Sequence, residues 1–439
     1  MIDVGSAAIG FFLLVGLMTL GLHIAFVMFA VSMVGAILYL GTPAVMNFGN
    51  QFWGATNNFV LVAIPLFVLL GEILVRGGFT DRMYRALSDW LNPLPGGLLH
   101  TNIGASAMFA AVSGSSVATA ATIGTVAIPA FRNRGYDDRL VLGTVAAGAT
   151  LGILIPPSIN MIIYGAMTNT SVGRLYAAGV IPGLILTALF MLIVILLCKW
   201  RPSLSGPVEK AAPLLVRLAR LVDLLPPMAI FVAVMGTIYL GWATPTESAA
   251  IGVAVALALA AGYGKLSWSM LHESFVSTVS VTAMIMLIAA AAFYLNFVLG
   301  LMGVPQALAE YVKSIGASPG LLIAILTVFY LILGCFLDAL AMIIGTIPVV
   351  FPLVMAVGID PVWFGIYLVV MAELALITPP VGMNLYVVQG IRGEGLITDV
   401  IVGTLPFLLM MLLLVWLLWV WLLWVWPDIA LWLPRQSFD

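Results

Sequence analysis

Between Leu405 and Trp426 the chain carries no charged residue, and similar apolar runs recur along most of its length. Hydrocarbon offers no partner to a backbone N–H or C=O, so a run of this length must close its own hydrogen bonds as a helix. Composition extends the argument to the whole chain, since 63% of its 439 residues are hydrophobic and 8% are charged. Such a chain is expected to be an all-α polytopic membrane protein. A formal net charge of −2 shows no basic excess, so nucleic acid is not a partner. The opening residues MIDVGSAAIG include an acid and no basic segment, so the first helix is expected to remain and not be cleaved as a signal peptide. Cys198 and Cys335 lie far apart in apolar runs, without CxxC spacing or a histidine cluster. They read as small buried side chains, not as a disulfide or a metal centre.

Segments long enough to cross, about 20 residues each, fall near 5–22, 24–41, 58–76, 138–168, 175–198, 222–241, 245–264, 276–302, 361–388 and 397–426. Residues 101–131 break at Ser113-Gly114-Ser115-Ser116, leaving halves of roughly 12 to 15 residues that rise only about 20 Å. Halves so short fit a re-entrant helical hairpin, whose tip must be buried in protein or face water. Residues 319–356, with Gly334, Cys335 and Asp338 near the middle, suit the same description, although Leu321–Leu337 also suits an ordinary span. Arg76, Arg82 and Arg85 precede the first hairpin and Arg132, Arg134 and Arg139 follow it. The positive-inside rule puts both flanks in the cytoplasm. One crossing and one return then lead to Lys199, Arg201, Lys210, Arg217 and Arg220, which also come out cytoplasmic. Around the second hairpin Lys313 is balanced by Glu310 and Asp360, so those flanks belong outside.

The layout is two inverted-topology repeats. Residues 1–200 form the first, with hairpin 101–131 and proline-broken helix 138–168; residues 201–221 are a cytoplasmic linker. Residues 222–427 form the second, with hairpin 319–356 and broken helix 361–388, and residues 428–439 are a tail. The connector FTDRMYRALSDWL, from Phe79, places Phe79, Met83, Leu87 and Leu91 on one face and is expected to lie flat at the interface.

Each broken helix holds a proline pair, in ILIPPSINMIIYG at 153–165 and LITPPVGMNLYVVQG at 376–390. A proline removes a donor and its ring clashes with the carbonyl four residues earlier, so a pair frees several carbonyls. Freed carbonyls with nearby hydroxyl and amide oxygens suit a dehydrated sodium ion, and short-helix ends add dipoles that favour a cation or a carboxylate. The candidate sodium ligands are Ser113, Gly114, Ser115, Ser116, Ile155, Pro156, Gly334, Asp338, Thr378, Pro379 and Gly382. Thr119, Ser158, Asn160 and Asn384 are the candidate substrate contacts. Prolines also kink helices for packing and small residues let helices approach, but two pairs, each following a hairpin, favour a site. No catalytic residue, organic cofactor or metal other than sodium is indicated.

Acids at membrane depth demand a reason. Asp338 suits either a cation site or a helix cap, Glu373 suits support of Thr378, and Glu72 and Glu247 lie near span ends and suit structural roles. His23, His100 and His272 fall in expected junctions and carry no assigned chemistry. An intramembrane hydrolase needs a nucleophile with a base or two facing aspartates, which the spans do not offer. A channel also uses re-entrant segments and stands as the alternative to a carrier.

The motifs IPLFVLLGEILVRGG at 64–78, AAVSGSSVATAATIGTVAIPA at 110–130, GILIPPS at 152–158, GVIPG at 179–183, GWATPTESAAIG at 241–252 and ITPPVGMNLYV at 377–387 carry a family likeness. Together they resemble the large membrane subunit of tripartite ATP-independent periplasmic (TRAP) transporters over essentially the whole chain. The resemblance implies a sodium-coupled secondary importer, not an enzyme, in the bacterial cytoplasmic (inner) membrane. Its cargo would be a small organic acid of the C4-dicarboxylate, sugar acid or sialic acid class, received from a periplasmic binding protein and carried by an elevator mechanism. A binding-protein-independent sodium/carboxylate symporter is the neighbouring alternative. The resemblance also implies a small four-helix membrane subunit, expected as a separate chain because the first repeat begins within the first few residues. The run of Trp416, Trp419, Trp421, Trp424 and Trp426 has no place in the family pattern. No centred arginine offers a bidentate carboxylate clamp, so the binding protein is expected to select the cargo.

Overall fold

The computed structural model describes residues 4–131, 134–206, 212–424 and 431–438. Those residues form helices and connecting turns, with no strand among them. The first half contains α1 (Val4–Thr19), α2 (Ile24–Gly35, prolonged by a π turn to Leu40), α3 (Thr42–Met46), α4 (Phe48–Thr56), α5 (Ala63–Arg76) and α6 (Phe79–Leu91). It continues with α7 (Leu98–Ser113), α8 (Ser116–Phe131), α9 (Asp138–Thr150), α10 (Ile159–Thr168) and α11 (Val172–Trp200). After α12 (Leu214–Arg220) come α13 (Leu225–Tyr239), α14 (Pro245–Gly262), α15 (Trp268–Met302), α16 (Val304–Ser314), α17 (Pro319–Gly334) and α18 (Ala339–Ala356). The chain closes with α19 (Pro361–Ile377), α20 (Met383–Arg392), α21 (Ile397–Trp424) and α22 (Trp432–Phe438). Among the described residues six helical runs are long and apolar enough to cross a bilayer. The chain is a multi-pass, all-helical membrane protein, the class its composition demands.

The same landmarks recur at a constant spacing of 223 positions. Ser115 and Asp338 cap α8 and α18, Pro129 and Pro352 lie inside those helices, and Asp137 and Asp360 cap α9 and α19. Pro156-Pro157 and Pro379-Pro380 then interrupt the helices that follow. The caps work by the same physics. Asp137 Oδ1 accepts from Leu140 N at 3.0 Å and Asp360 Oδ1 from Val362 N at 2.8 Å, satisfying first-turn donors that hydrocarbon would leave bare. The halves of the first hairpin run 16 residues each, longer than the sequence spacing suggests, because Ser113 and Ser116 stay helical and only Gly114 and Ser115 form the break.

Packing binds the two halves together. The second half of each broken helix lies on the returning arm of the opposite hairpin, α10 on α18 and α20 on α8, while α21 packs along α9. At that last crossing Gly143 and Gly403 face each other so closely that a Cβ on Gly403 would collide with Arg139 O and one on Gly143 with Gly403 O. Small residues are what let membrane helices approach this near. Another group is formed by α2, α5, α13, α14 and α15. Between α5 and α6 the chain turns 72° at Gly77-Gly78. There α6 buries Phe79 and Met83 and leaves Asp81, Arg82 and Arg85 exposed, as an interfacial helix should. Two histidines lie elsewhere than expected. His272 is inside α15 and His100 is in the first turn of α7, buried with Nε2 on Pro95 O at 2.8 Å.

Candidate functional site

Each hairpin tip is bonded to the proline break of its own half. At the first tip Gly114 ends α7 with φ +64, and its carbonyl accepts from Ile159 N, just past the proline pair, at 3.4 Å. Contact is close on both strands of backbone. A Cβ on Gly114 would stand 2.8 Å from Pro157 O, and one on Gly152 would stand 2.7 Å from Ser115 O. Behind the break, Gly179 and Gly183 of α11 admit Leu154 O and Ile155, since added Cβ atoms would come within 2.7 and 2.8 Å of them. This is the physical content of the GVIPG motif.

Hydroxyls line this junction and most already hold partners. Ser113 Oγ and Thr119 Oγ1 are 3.1 Å apart, and Thr119 donates to Ser115 O at 2.7 Å. Ser115 Oγ accepts from Ala118 N at 3.3 Å, capping α8, and Ser116 is buried beside it. Ser158 donates to Ile153 O at 2.6 Å and accepts from Met161 N at 3.4 Å, so it answers one carbonyl in the break and caps α10. Each oxygen that donates in this way keeps lone pairs that a cation can use.

The second junction repeats the arrangement with other side chains. Cys335 O accepts from Val381 N at 3.2 Å, and a Cβ on Gly334 would meet Ala375 at 2.9 Å. Thr378 donates to Leu374 O at 2.6 Å, Tyr386 donates to Pro380 O at 3.2 Å, and Gly382 takes φ +38 beside Thr378 O. Asp338 caps α18, accepting from Leu340 N at 3.2 Å, so of its two sequence readings the helix cap is the one visible in the structure. Backbone and hydroxyl oxygens thus gather at two places, each beside the C-terminal end of a short helix, where the dipole favours a cation.

The structure gathers Ser113, Gly114, Ser115, Ser116, Thr119 and the segment Ile155, Pro156, Ser158 at the first junction, and Gly334, Asp338, Thr378, Pro379 and Gly382 at the second. The asparagines stand on the helices that leave the breaks. Asn384 donates to Ala146 O of α9 at 3.2 Å; among the described residues its Oδ1 has no partner, and neither has Nδ2 of the buried Asn160. Thr378 bonds to Leu374 O and not to Glu373, which is fully buried and whose carboxylate oxygens have no hydrogen-bond partner among the described residues. Glu72 accepts from Ser277 Oγ at 2.6 Å and pairs with Arg76, and Glu247 completes a capping box with Thr244. Sequence reasoning passed over the carbonyl of Cys335, because a backbone contact leaves no mark on residue type.

The family model described as "Tripartite ATP-independent periplasmic transporter, DctM component" matches residues 11–424. The chain belongs to this family. It is 35% identical over 377 residues to the C4-dicarboxylate TRAP transporter large permease protein DctM of Pseudomonas aeruginosa, covering 86% of this chain and 87% of that one. It is 34% identical to the sialic acid TRAP transporter large permease protein SiaM of Vibrio cholerae, covering 85% and 87%. Its fold is similar to the Alcanivorax borkumensis YdaH transporter, with a TM-score of 0.60 at 19% identity over 89% of this chain and 90% of that one. The Neisseria gonorrhoeae MtrF structure matches with a TM-score of 0.64 at 14% identity over 90% and 86%. The protein is therefore a TRAP large permease and not an enzyme.

Proposed function

We propose that this permease carries out sodium-coupled import of a small organic acid across the bacterial inner membrane by an elevator-type alternating-access movement. It works with a small four-helix membrane subunit and receives cargo from a periplasmic binding protein. The observation that carries the reading is the paired junction. Gly114 O holds Ile159 N and Cys335 O holds Val381 N, so two hairpin tips present neutral oxygens beside two proline breaks. Neutral oxygen donors of this kind suit a monovalent hard cation, and the described residues hold no cluster of three or more His, Cys, Asp or Glu for a transition metal. Relatives named for C4-dicarboxylate, sialic acid and isethionate set the cargo class to screen first. The interlock of α10 on α18 and α20 on α8 supports movement of both hairpins as one body against α2, α5, α13, α14 and α15.

Reconstitution of the permease with its small subunit and binding protein tests this reading. Saturable uptake of a labelled organic acid should require both the binding protein and an inward sodium gradient. Non-saturating flux would mark a channel, uptake without the binding protein would mark a simple symporter, and an undiminished rate after the gradient is collapsed would remove sodium coupling.

A further inference from the structure

An apolar cavity of about 300 Å³ lies where α1, α2 and α15 meet the second hairpin. Its walls are α1 from Ile9 to Leu17, α2 from Ala30 to Leu38 and α15 from Leu295 to Met302, together with Gly345 and Val349 of α18. Each of the three longer walls covers a rise of about 10–12 Å, so the space is a slot running along the helices and not a compact pocket. No charged residue lines it. Of its two hydroxyl groups, that of Ser32 is spent on Phe29 O at 3.0 Å, and Tyr39 is exposed at the end of the π turn. The depth of the slot is buried, with Leu14, Leu295 and Val298 almost fully covered, whereas Ile9, Leu13 and Leu38 at its edge are more than half exposed. It therefore opens sideways, onto the apolar outer surface of α1 and α2. Water finds no partners inside such a space, and an organic acid entering it would lose its hydration without gaining a hydrogen bond.

We propose that the slot holds one acyl chain of a phospholipid from the periplasmic leaflet, lodged between the second hairpin and α1, α2 and α15. Three observations select that occupant. The slot is long and narrow in the direction of the spanning helices, which is the direction of lipid tails; its lining is apolar from end to end; and its open side is continuous with the surface that already faces lipid. The leaflet follows from charge. Val304, which lines the slot, begins the flank that the balance of Lys313 against Glu310 and Asp360 puts outside, and the Tyr39 side chain suits the same interface, where tyrosine keeps its polar tip wet. The consequence of occupancy rests on the transport reading above. There α18 belongs to the body that moves, while α2 and α15 belong to the group it moves against, so the slot is a seam between them. An acyl chain keeps the seam in van der Waals contact and can slide or exchange as α18 shifts. A side chain anchored in the same place cannot.

The test uses the whole permease with its small subunit in vesicles of phosphatidylethanolamine and phosphatidylglycerol, doped in one leaflet at a time with a phospholipid whose acyl chain carries a photoactivatable diazirine. Illumination should label Gly345–Val349 of α18 when the probe is in the periplasmic leaflet and not when it is in the cytoplasmic one. Leu184, exposed on α11, reports ordinary lipid contact. Two variants fill the slot. A Cβ on Gly10 meets nothing within 4 Å, so Gly10→Phe has room, and Ala30→Phe enters from the opposite wall. Both should lose the α18 label, keep the Leu184 label and melt at the wild-type temperature or above. Their maximal uptake rate should fall several-fold at an unchanged half-saturating cargo concentration. Absence of label on α18, label that persists in both filled variants, or crosslinks from the slot to the small subunit instead of lipid would overturn the acyl-chain site. Loss of label with an unchanged maximal rate would overturn its role in the seam. A wild-type chain that is labelled on α18 but takes up no cargo in any condition would overturn the transport reading and leave the lipid site standing.

Discussion

Gly114 and Gly135 share a left-handed backbone, with φ +64 and +72, yet of the two only Gly114 has a neighbour within reach of a Cβ among the described residues. An alanine in that region costs about 1–2 kcal/mol from its own backbone. Gly135→Ala should show that penalty alone, whereas Gly114→Ala adds a clash with Pro157 O and should cost clearly more and impair sodium-dependent uptake. Equal melting temperatures and equal uptake would show that the tip has room to spare. Oxygen donors give a second prediction at this scale. Ser115→Ala, Ser116→Ala and Thr378→Ala each remove a hydroxyl that a dehydrated ion cannot replace, so the sodium concentration for half-maximal uptake should rise. All three retaining wild-type sodium dependence would remove these residues from the site. Glu373 belongs here too. Its oxygens have no partner among the described residues, and replacing an unsatisfied buried polar group by an apolar one of similar shape is neutral or stabilising. Glu373→Met should therefore keep or raise the melting temperature; a fall of several degrees would reveal a partner for that carboxylate.

At the scale of the helix, the proline pairs do more than kink. An unbroken helix would direct Ile159 N to Ile155 O and Val381 N to Ile377 O, the carbonyls four residues back. Because of the breaks, these amides reach Gly114 O and Cys335 O instead. Replacing Pro156-Pro157 or Pro379-Pro380 with Ala-Ala restores donors and helix propensity. Each variant should insert and fold with an equal or higher melting temperature, while losing sodium-induced thermal stabilisation and uptake together. Full uptake in either would reduce the prolines to packing devices. The α9–α21 crossing yields a contrasting expectation. Gly403→Ala has no space against Arg139 O, and overpacking of this kind costs about 1–3 kcal/mol, so a thermal shift assay should show destabilisation.

Across the whole molecule, the charge bias and the recurring landmarks make a topological prediction. Arg134→Cys should be labelled only from the cytoplasm and Ser314→Cys, which is exposed at the end of α16, only from the periplasm. Labelling of both from one side would sink the inverted arrangement. The lipid-facing shell is consistent with a chain that meets other membrane surfaces, since large apolar side chains such as Ile9, Leu38, Trp53 and Trp416 are more than half exposed. Of the tryptophan run, the side chains of Trp419, Trp421 and Trp424 and the whole of Trp426 lie outside the described residues.

Sequence alone determined the solvent, the fold class and the position of the breaks. Hydrocarbon permits few ways to satisfy a backbone, and proline announces where a helix fails, so apolar runs and the two Pro-Pro pairs are legible one residue at a time. The repeat was legible for the same reason, because caps and prolines must recur where the same turns recur. Only the tertiary structure decided what the freed groups do. Which amide turns to Gly114 O or Cys335 O, whether Ser158 answers Ile153 O, and why Asn384 reaches α9 and not its own break are matters of contact between segments distant in the chain. Asp338 shows the boundary well, since its residue type suits a cap and a cation equally and only the approach of Leu340 N makes the cap visible.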